Sequence, residues 1–389
     1  MDDYNSLYTD SRYRNFDKEA VELYVKLQRR LKTLNNIKLL TLGSFLAIIV
    51  WQTYHDNSYI FENTIGNQRY ILSLLIAYTT NHIISFFLHF FAYKNVENKP
   101  YKYFYVRGLS KIVFLLFSPD YFYALLFKNT IKENNKNCNE NWCNDYCLRD
   151  NDGFGICLKA WDYIKIKNKF FIEFSNWGNV IISIVLLISS ILYRLSIDWL
   201  LYSIYLLIIL RTISRGIEVI YAFYKDIANV NDKIFSNKKG NRTYYVHGWK
   251  NSLLLKSSRI SLAVHTLLEF IFLYSVNYYF LSRFISGEYL SHNMVATQYS
   301  NFINFLFYSF SVSMFNFSFT SFPSIYWMLA HIFQISLSFI LTILSIAGYL
   351  GINSNMLERD NKFYIETHRL LKLKSNVKKK NFDWMNIKF

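Results

Sequence analysis

The groups in this 389-residue chain that could hold a metal ion or move a proton are few and unevenly placed. All four cysteines, Cys138, Cys143, Cys147 and Cys157, fall in one hydrophilic stretch. As thiolates they could close a tetrahedral site around a structural zinc. Their intervals of four, three and nine intervening residues lack the paired short knuckles that pre-form such sites. Two disulfides would need an oxidising compartment, and reduced, unligated thiols are the third reading.

His265 and Glu269 stand four residues apart inside a long apolar block. A carboxylate at that depth costs a few kcal/mol, on the order of 3, unless it is paired, protonated or wet. The spacing places both side chains on one helical face, so a His265–Glu269 pair, a packing hydrogen bond or an ion-attracting role is expected. Asn81, His82 and His89 in another apolar block, and His331 and Gln334 in the last one, suit interhelical hydrogen bonds. No zinc-protease motif, histidine-rich iron box, phosphate-cradling glycine loop, catalytic triad or carboxylate pair is visible, so no enzyme activity is expected. A voltage sensor would need a basic residue at every third position of a membrane helix. The fourth block offers only Arg211 and Arg215.

These side chains need elements to position them, and composition says which. Hydrophobic residues make up 52% of the chain, with only 3 Pro and 12 Gly, a bias toward long uninterrupted helices. The 32 Tyr and 35 Phe accompany abundant Asn, Lys and Ile, as in AT-rich coding sequence, so aromatic content carries no functional weight. A crossing helix needs ~20 mostly apolar residues. Six blocks qualify: 37–53, 70–91, 177–192, 197–213, 260–280 and 325–350. A seventh, 112–127, is broken by Ser118-Pro119-Asp120 and reads as an interfacial or re-entrant helix pair. The first block follows 36 polar residues without a small-residue cleavage site, so no cleaved signal peptide is expected.

The formal charge of +16 fits nucleic acid, anionic lipid or orienting cytoplasmic loops. In a chain with such apolar blocks the loops are the simplest reading, and no nucleic-acid partner is expected. Ten Lys or Arg lie from Arg211 to Arg259 and nine follow Leu350, whereas residues 282–324 hold only Arg283. Positive segments stay on the cytoplasmic side, which puts both termini there in a multi-pass cell-membrane protein. A full crossing by 112–127 would move the basic 211–259 segment outside, so six spans are retained. The expected organisation is a polar, partly helical cytoplasmic segment 1–36, a helix hairpin 37–93, a cytoplasmic segment 94–176 with the interfacial helix and the cysteines, and a second hairpin 177–224. A basic linker 225–259, a unit 260–350 and a basic tail 351–389 follow. The tail, with Trp384 and Phe389 among its lysines, could lie on anionic lipid or be solvated.

Within 260–350 an apolar helix, an aromatic segment spiced with polar residues and a second apolar helix follow in order. Residues 301–314 read NFINFLFYSFSVSM, amphipathic and too short to cross. A helix that enters and turns back is tolerated only inside protein or beside a water-filled cavity. The order, with the run Tyr308-Ser309-Phe310-Ser311-Val312-Ser313-Met314, resembles the two-helix pore domain of bacterial potassium-channel-like proteins over about ninety residues. A pore helix there ends in a Thr-rich run before a Gly-aromatic-Gly-Asp filter. The resemblance implies an all-α polytopic membrane protein with about six transmembrane helices and a re-entrant pore helix between the last two. It also implies a homo-oligomer, tetrameric by family geometry, that conducts monovalent cations passively among membrane lipid.

The match departs at the filter. Asn316-Phe317-Ser318 stands where the family has Gly-aromatic-Gly, Phe319 stands where it has Asp, and Pro323 comes one residue late. The glycines permit the backbone angles that line up successive carbonyls on the ion. Without them Ser311, Ser313, Asn316, Ser318 and Thr320 could line a weakly selective opening, or Phe315, Phe317 and Phe319 could close it. The alternative function is a non-conducting receptor, scaffold or defence-type effector that keeps a pore-domain shape. A secondary transporter is disfavoured because no internal repeat or pair of broken helices is visible. A weaker upstream likeness, a cytoplasmic Arg-Glu helix, rests on 210–218.

Overall fold

The computed structural model describes residues 18–54, 67–101, 109–136, 147–149, 155–192, 198–228, 235–239, 242–246, 256–284, 302–316, 322 and 324–351. These form nine helices and two short antiparallel hairpins. The helices are α1 (Lys18–Tyr54), α2 (Asn67–Val96), α3 (Leu109–Phe117), α4 (Pro119–Lys136), α5 (Leu158–Leu192), α6 (Asp198–Ala228), α7 (Lys256–Phe284), α8 (Phe302–Ser313) and α9 (Ile325–Gly351). Strands β1 (Cys147–Arg149) and β2 (Gly155–Cys157) make one hairpin; β3 (Phe235–Lys239) and β4 (Arg242–Val246) make the other.

Each apolar block of the sequence falls in a helix, and local chemistry sets several ends. The Ser118-Pro119-Asp120 break separates α3 from α4: proline is tolerated at a first helical position, and the Ser118 hydroxyl caps the new helix by accepting from the Tyr121 amide at 3.4 Å. Ser324 starts α9 the same way, accepting from the Trp327 amide at 3.2 Å. Helix α8 ends in a Schellman turn. The Asn316 amide donates to the Ser311 carbonyl and the Phe315 amide to the Val312 carbonyl, with Phe315 at φ 64°. Left-handed backbone at a residue with a Cβ costs about 1–2 kcal/mol. The Phe315 ring meets Phe339 of α9 edge-on at 5.9 Å, which offsets part of that cost.

Two helices run past the sequence boundaries. Residues 18–36 are continuous with the first apolar block in α1, and α5 begins nineteen residues before 177. The early part of α5 is polar yet buried: Lys167 pairs with Glu97 at 2.8 Å and Lys169 donates to the Tyr24 hydroxyl of α1 at 2.6 Å. Satisfied ends let the helix continue where hydropathy alone stops it.

Among the described residues, four helical stretches are long and apolar enough to cross a membrane: Ile71–Val96, Ile166–Ser190, Arg259–Ser282 and Ile325–Ile346. The distribution of side chains is inverted relative to a water-soluble bundle. Ile71, Leu75, Phe87, Tyr326 and Phe333 face outward, while Ser85, His89, Asn179, Arg211, Glu269 and Gln334 are buried. Polar groups are costly against hydrocarbon and turn inward in apolar surroundings, and the arrangement is compatible with a multi-pass membrane protein. Two apolar cores lie within the bundle. One joins α1, α2, α4 and α5 around Phe127, Phe170 and Phe171. The other joins α5 to α9, with the second half of α1, around Phe270, Tyr278, Phe305 and Trp327. At Gly178 of α5 an added Cβ would meet Leu88 of α2 at 2.4 Å, so these two helices approach where only glycine fits without a shift.

Candidate functional site

The densest polar chemistry lies between the two cores, where α2, α4, α5, α6 and α7 meet. Helix α6 supplies Arg211 and Arg215, one turn apart and both buried. Arg211 Nη1 donates to Asp120 at 3.1 Å and 3.3 Å and to Ser85 Oγ at 3.3 Å. Its Nη2 donates to Asn179 Oδ1. Asp120 is held from the other side by Ser214, whose hydroxyl donates to Oδ2 at 2.7 Å. Ser118 Oγ donates in turn to the Ser214 carbonyl at 2.8 Å. The cap that begins α4 therefore also anchors it to α6.

Arg215 reads out the next turn. Its Nε meets both carboxylate oxygens of Glu269 at 3.2 Å and 3.0 Å, Nη1 donates to Glu218 and Nη2 donates to Asn176 Oδ1 at 2.6 Å. Ser183 donates to Glu269 at 3.5 Å. His89 stands beside Glu218, with Nε2 3.8 Å from Oε1. Removing one partner of such a pair strands a charge in a low-dielectric interior, at ~3–5 kcal/mol. The site joins five helices and is electrostatic rather than nucleophilic.

Glu269 thus has a partner, as its depth requires, but the partner is not His265. His265 Nε2 accepts from Lys38 Nζ of α1 at 2.8 Å, and its Nδ1 donates to the Ser261 carbonyl at 2.6 Å. Lys38 also lies 4.4 Å over the Trp177 ring. The difference has a chemical reason: the guanidinium of Arg215 is always charged and meets both carboxylate oxygens of Glu269, so it neutralises a buried carboxylate more completely than an imidazole does.

A second polar group fixes α8. Gln334 of α9 donates to the Ser309 carbonyl at 2.7 Å and to the Ser309 and Ser313 hydroxyls at 2.8 Å each, and accepts from Tyr278 of α7 at 2.9 Å. Tyr308 accepts from Trp327 Nε1 at 3.0 Å and bonds His331 Nδ1 at 2.9 Å. His331 and Gln334 act as interhelical hydrogen bonders, the role that the sequence suggests. Of the filter-like residues, Ser313 is buried under Gln334, Ser311 accepts from Asn316 Nδ2 at 2.8 Å, and Asn316 is exposed. Phe317, Ser318, Phe319 and Thr320 lie outside the described residues.

Cys138 and Cys143 also lie outside the described residues, while the β1–β2 register sets Cys147 opposite Cys157. Among the described residues no group of three or more His, Cys, Asp or Glu is arranged for a metal ion. A third polar group stands at the end of α2. Glu97 accepts from Lys167 Nζ at 2.8 Å, from Asn135 Nδ2 at 2.8 Å and from the Lys99 amide at 3.3 Å. Burial pushes its carboxyl up, but the Lys167 ammonium and these hydrogen bonds outweigh that and hold it below the usual carboxylate range.

Sequence reasoning reached Glu269 through its depth in an apolar block and missed Asp120, Glu218, Asn176 and Asn179. Asp120 reads as a helix-start acid, and its partner Arg211 lies 91 residues away. The one available signal was Arg211-x-x-x-Arg215-x-x-Glu218 at helical spacing on an otherwise apolar helix. Charges so placed in a membrane segment need partners on neighbouring helices. No family model, curated protein or solved structure matches the chain.

Proposed function

We propose that the chain is a six-span integral membrane protein with both ends cytoplasmic, and that it forms an oligomeric, channel-like assembly for passive passage of monovalent cations. The observation that carries this reading is the placement of α8: a twelve-residue apolar helix between two helices long enough to cross. It is held to α9 by Gln334, which donates to the Ser309 carbonyl at 2.7 Å, and to α7 by the Ser309 hydroxyl, which donates to the Ile271 carbonyl at 2.8 Å, and it ends in a Schellman turn. That order and packing suit a re-entrant element, whose backbone is sheltered by protein on both sides. Outward apolar residues along α9, among them Leu329, Phe333, Phe339 and Ile343, leave a face for neighbouring copies and lipid. The first and fourth sequence blocks complete the six spans within α1 and α6.

A second reading rests on the absence of both filter glycines: a non-conducting protein that keeps the pore-domain shape and acts through its basic segments. Purified protein in planar bilayers separates the two. Channel function predicts unitary cation currents that shift on Ser318→Phe. Silence across ions and voltages from an intact oligomer selects the non-conducting reading.

A further inference from the structure

The buried cluster around α6 has an unbalanced set of fixed charges. Arg211 and Arg215 face three carboxylates, Asp120, Glu218 and Glu269, linked through direct contacts. Two positive charges against three negative leave one negative charge in a buried interior, an arrangement that calls for one further proton or cation. His89 is the side chain placed to supply it. It is fully buried, and its Nδ1 lies 2.7 Å from the Ser85 carbonyl oxygen. A carbonyl only accepts, so the proton on that side belongs to Nδ1. The other ring nitrogen, Nε2, has no hydrogen-bond partner among the described residues and lies 3.8 Å from Glu218 Oε1. In a neutral ring this would set a bare lone pair against a carboxylate.

His265 makes the contrast plain. Its Nδ1 is committed to a carbonyl one turn back in the same way, but its Nε2 meets the Lys38 ammonium. There a neutral ring is required; at His89 the facing group is an acid. We propose that the cluster is a proton-binding site: one exchangeable proton resides on His89 Nε2, directed at Glu218, and brings the buried charges to three against three. Of the charged and titratable groups around His89, Glu218 of α6 is in direct reach, with Arg215 bonded to it and Glu269 of α7 behind Arg215. Arg211 bonds Ser85, the residue that holds His89 Nδ1, and carries Asp120 of α4; Lys128 of α4 lies 5.9 Å over the ring of Phe171 of α5, which His89 also meets. On α2 itself His82 lies two turns away with its own Nε2 unpartnered.

The site joins α2 to α6 and, through Arg215 and Glu269, to the α7–α8–α9 unit. Loss of the proton would leave a carboxylate uncompensated at that junction. The proposal is independent of ion conduction. The test uses the full-length protein with isotope-labelled histidine in detergent micelles, its imidazole nitrogens read by NMR. At about pH 8 a free imidazole, which titrates near ~6.5, is neutral. Among the eight histidines, one is expected to keep both ring protons there, its signal disappearing in His89→Gln and becoming that of a neutral ring in Glu218→Gln. A wild-type spectrum without a doubly protonated histidine overturns the proposal and needs no variant to fold. Persistence of that signal in His89→Gln, which would assign it to His82 or another ring, or its indifference to Glu218→Gln, overturns it as well.

Discussion

Arg211 shows how much one residue carries in this molecule. It is fully buried, holds Asp120 of α4, and reaches Ser85 of α2 and Asn179 of α5. Arg211→Met removes the cation and strands Asp120, so unfolding in detergent should become easier by ~3–5 kcal/mol. Adding Asp120→Asn removes the stranded charge while keeping an amide oxygen for Ser214. The double variant should recover most of that loss, and additive losses in the two single variants would show that the groups are not coupled. What the sequence revealed at this scale was need rather than pairing. Glu269 advertises itself because a carboxylate in an apolar block must be compensated. Nothing local identifies Arg215 as its partner, because the two are 54 residues apart and meet only when α6 packs on α7. His265, four residues from Glu269, was the nearest candidate in sequence and points instead to α1.

Elements were legible where hydropathy and turn chemistry agreed. The apolar blocks mark helices, and Ser118-Pro119-Asp120 marks the α3–α4 break, because serine caps and proline at a first helical position leave readable signals. Partial helix within 1–36 was legible, but not its continuity with the first apolar block, and the start of α5 was not legible. Polar residues there resemble solvated loops until Lys167 and Glu97, seventy residues apart, are seen to satisfy each other. The role of α4 was hidden for the same reason: its first turn reads as an interfacial cap, yet Asp120 is buried. The Glu97 group at the end of α2, where α4 and α5 pack, gives an element-scale prediction. Its carboxyl lies below the usual range in the folded protein, so its stabilising effect is complete above the ordinary carboxylate value and is lost as pH falls through the lowered one. Glu97→Gln should cost about 3 kcal/mol at neutral pH by leaving the Lys167 charge unbalanced. It should also flatten the acid limb of the thermal midpoint plotted against pH. An unchanged acid limb would place the acid sensitivity elsewhere.

At the scale of the whole molecule, an interior rich in charge and an exterior rich in Leu, Ile and Phe describe one solvent preference, compatible with a multi-pass membrane protein, and the proposed number and direction of crossings can be measured. Four long apolar helices account for part of that count. Helices α1 and α6 add the other two crossings if α8 turns back instead of passing through. Accessibility to a membrane-impermeant thiol reagent decides this, in a background where Cys138, Cys143, Cys147 and Cys157 are replaced by serine. Single cysteines at Ser6, Ser291, Ser321 and Ser375 bracket the helices that matter. With six spans and a re-entrant α8, Ser6→Cys and Ser375→Cys react only from the cytoplasmic side, while Ser291→Cys and Ser321→Cys react together from the opposite side. If α8 crosses fully, Ser291→Cys and Ser321→Cys separate to opposite sides, and the pore-like reading of the last third of the chain fails with them. The charge pattern already favours the first outcome, because nine basic residues follow Leu350 whereas Arg283 stands alone across 282–324, and basic segments resist translocation.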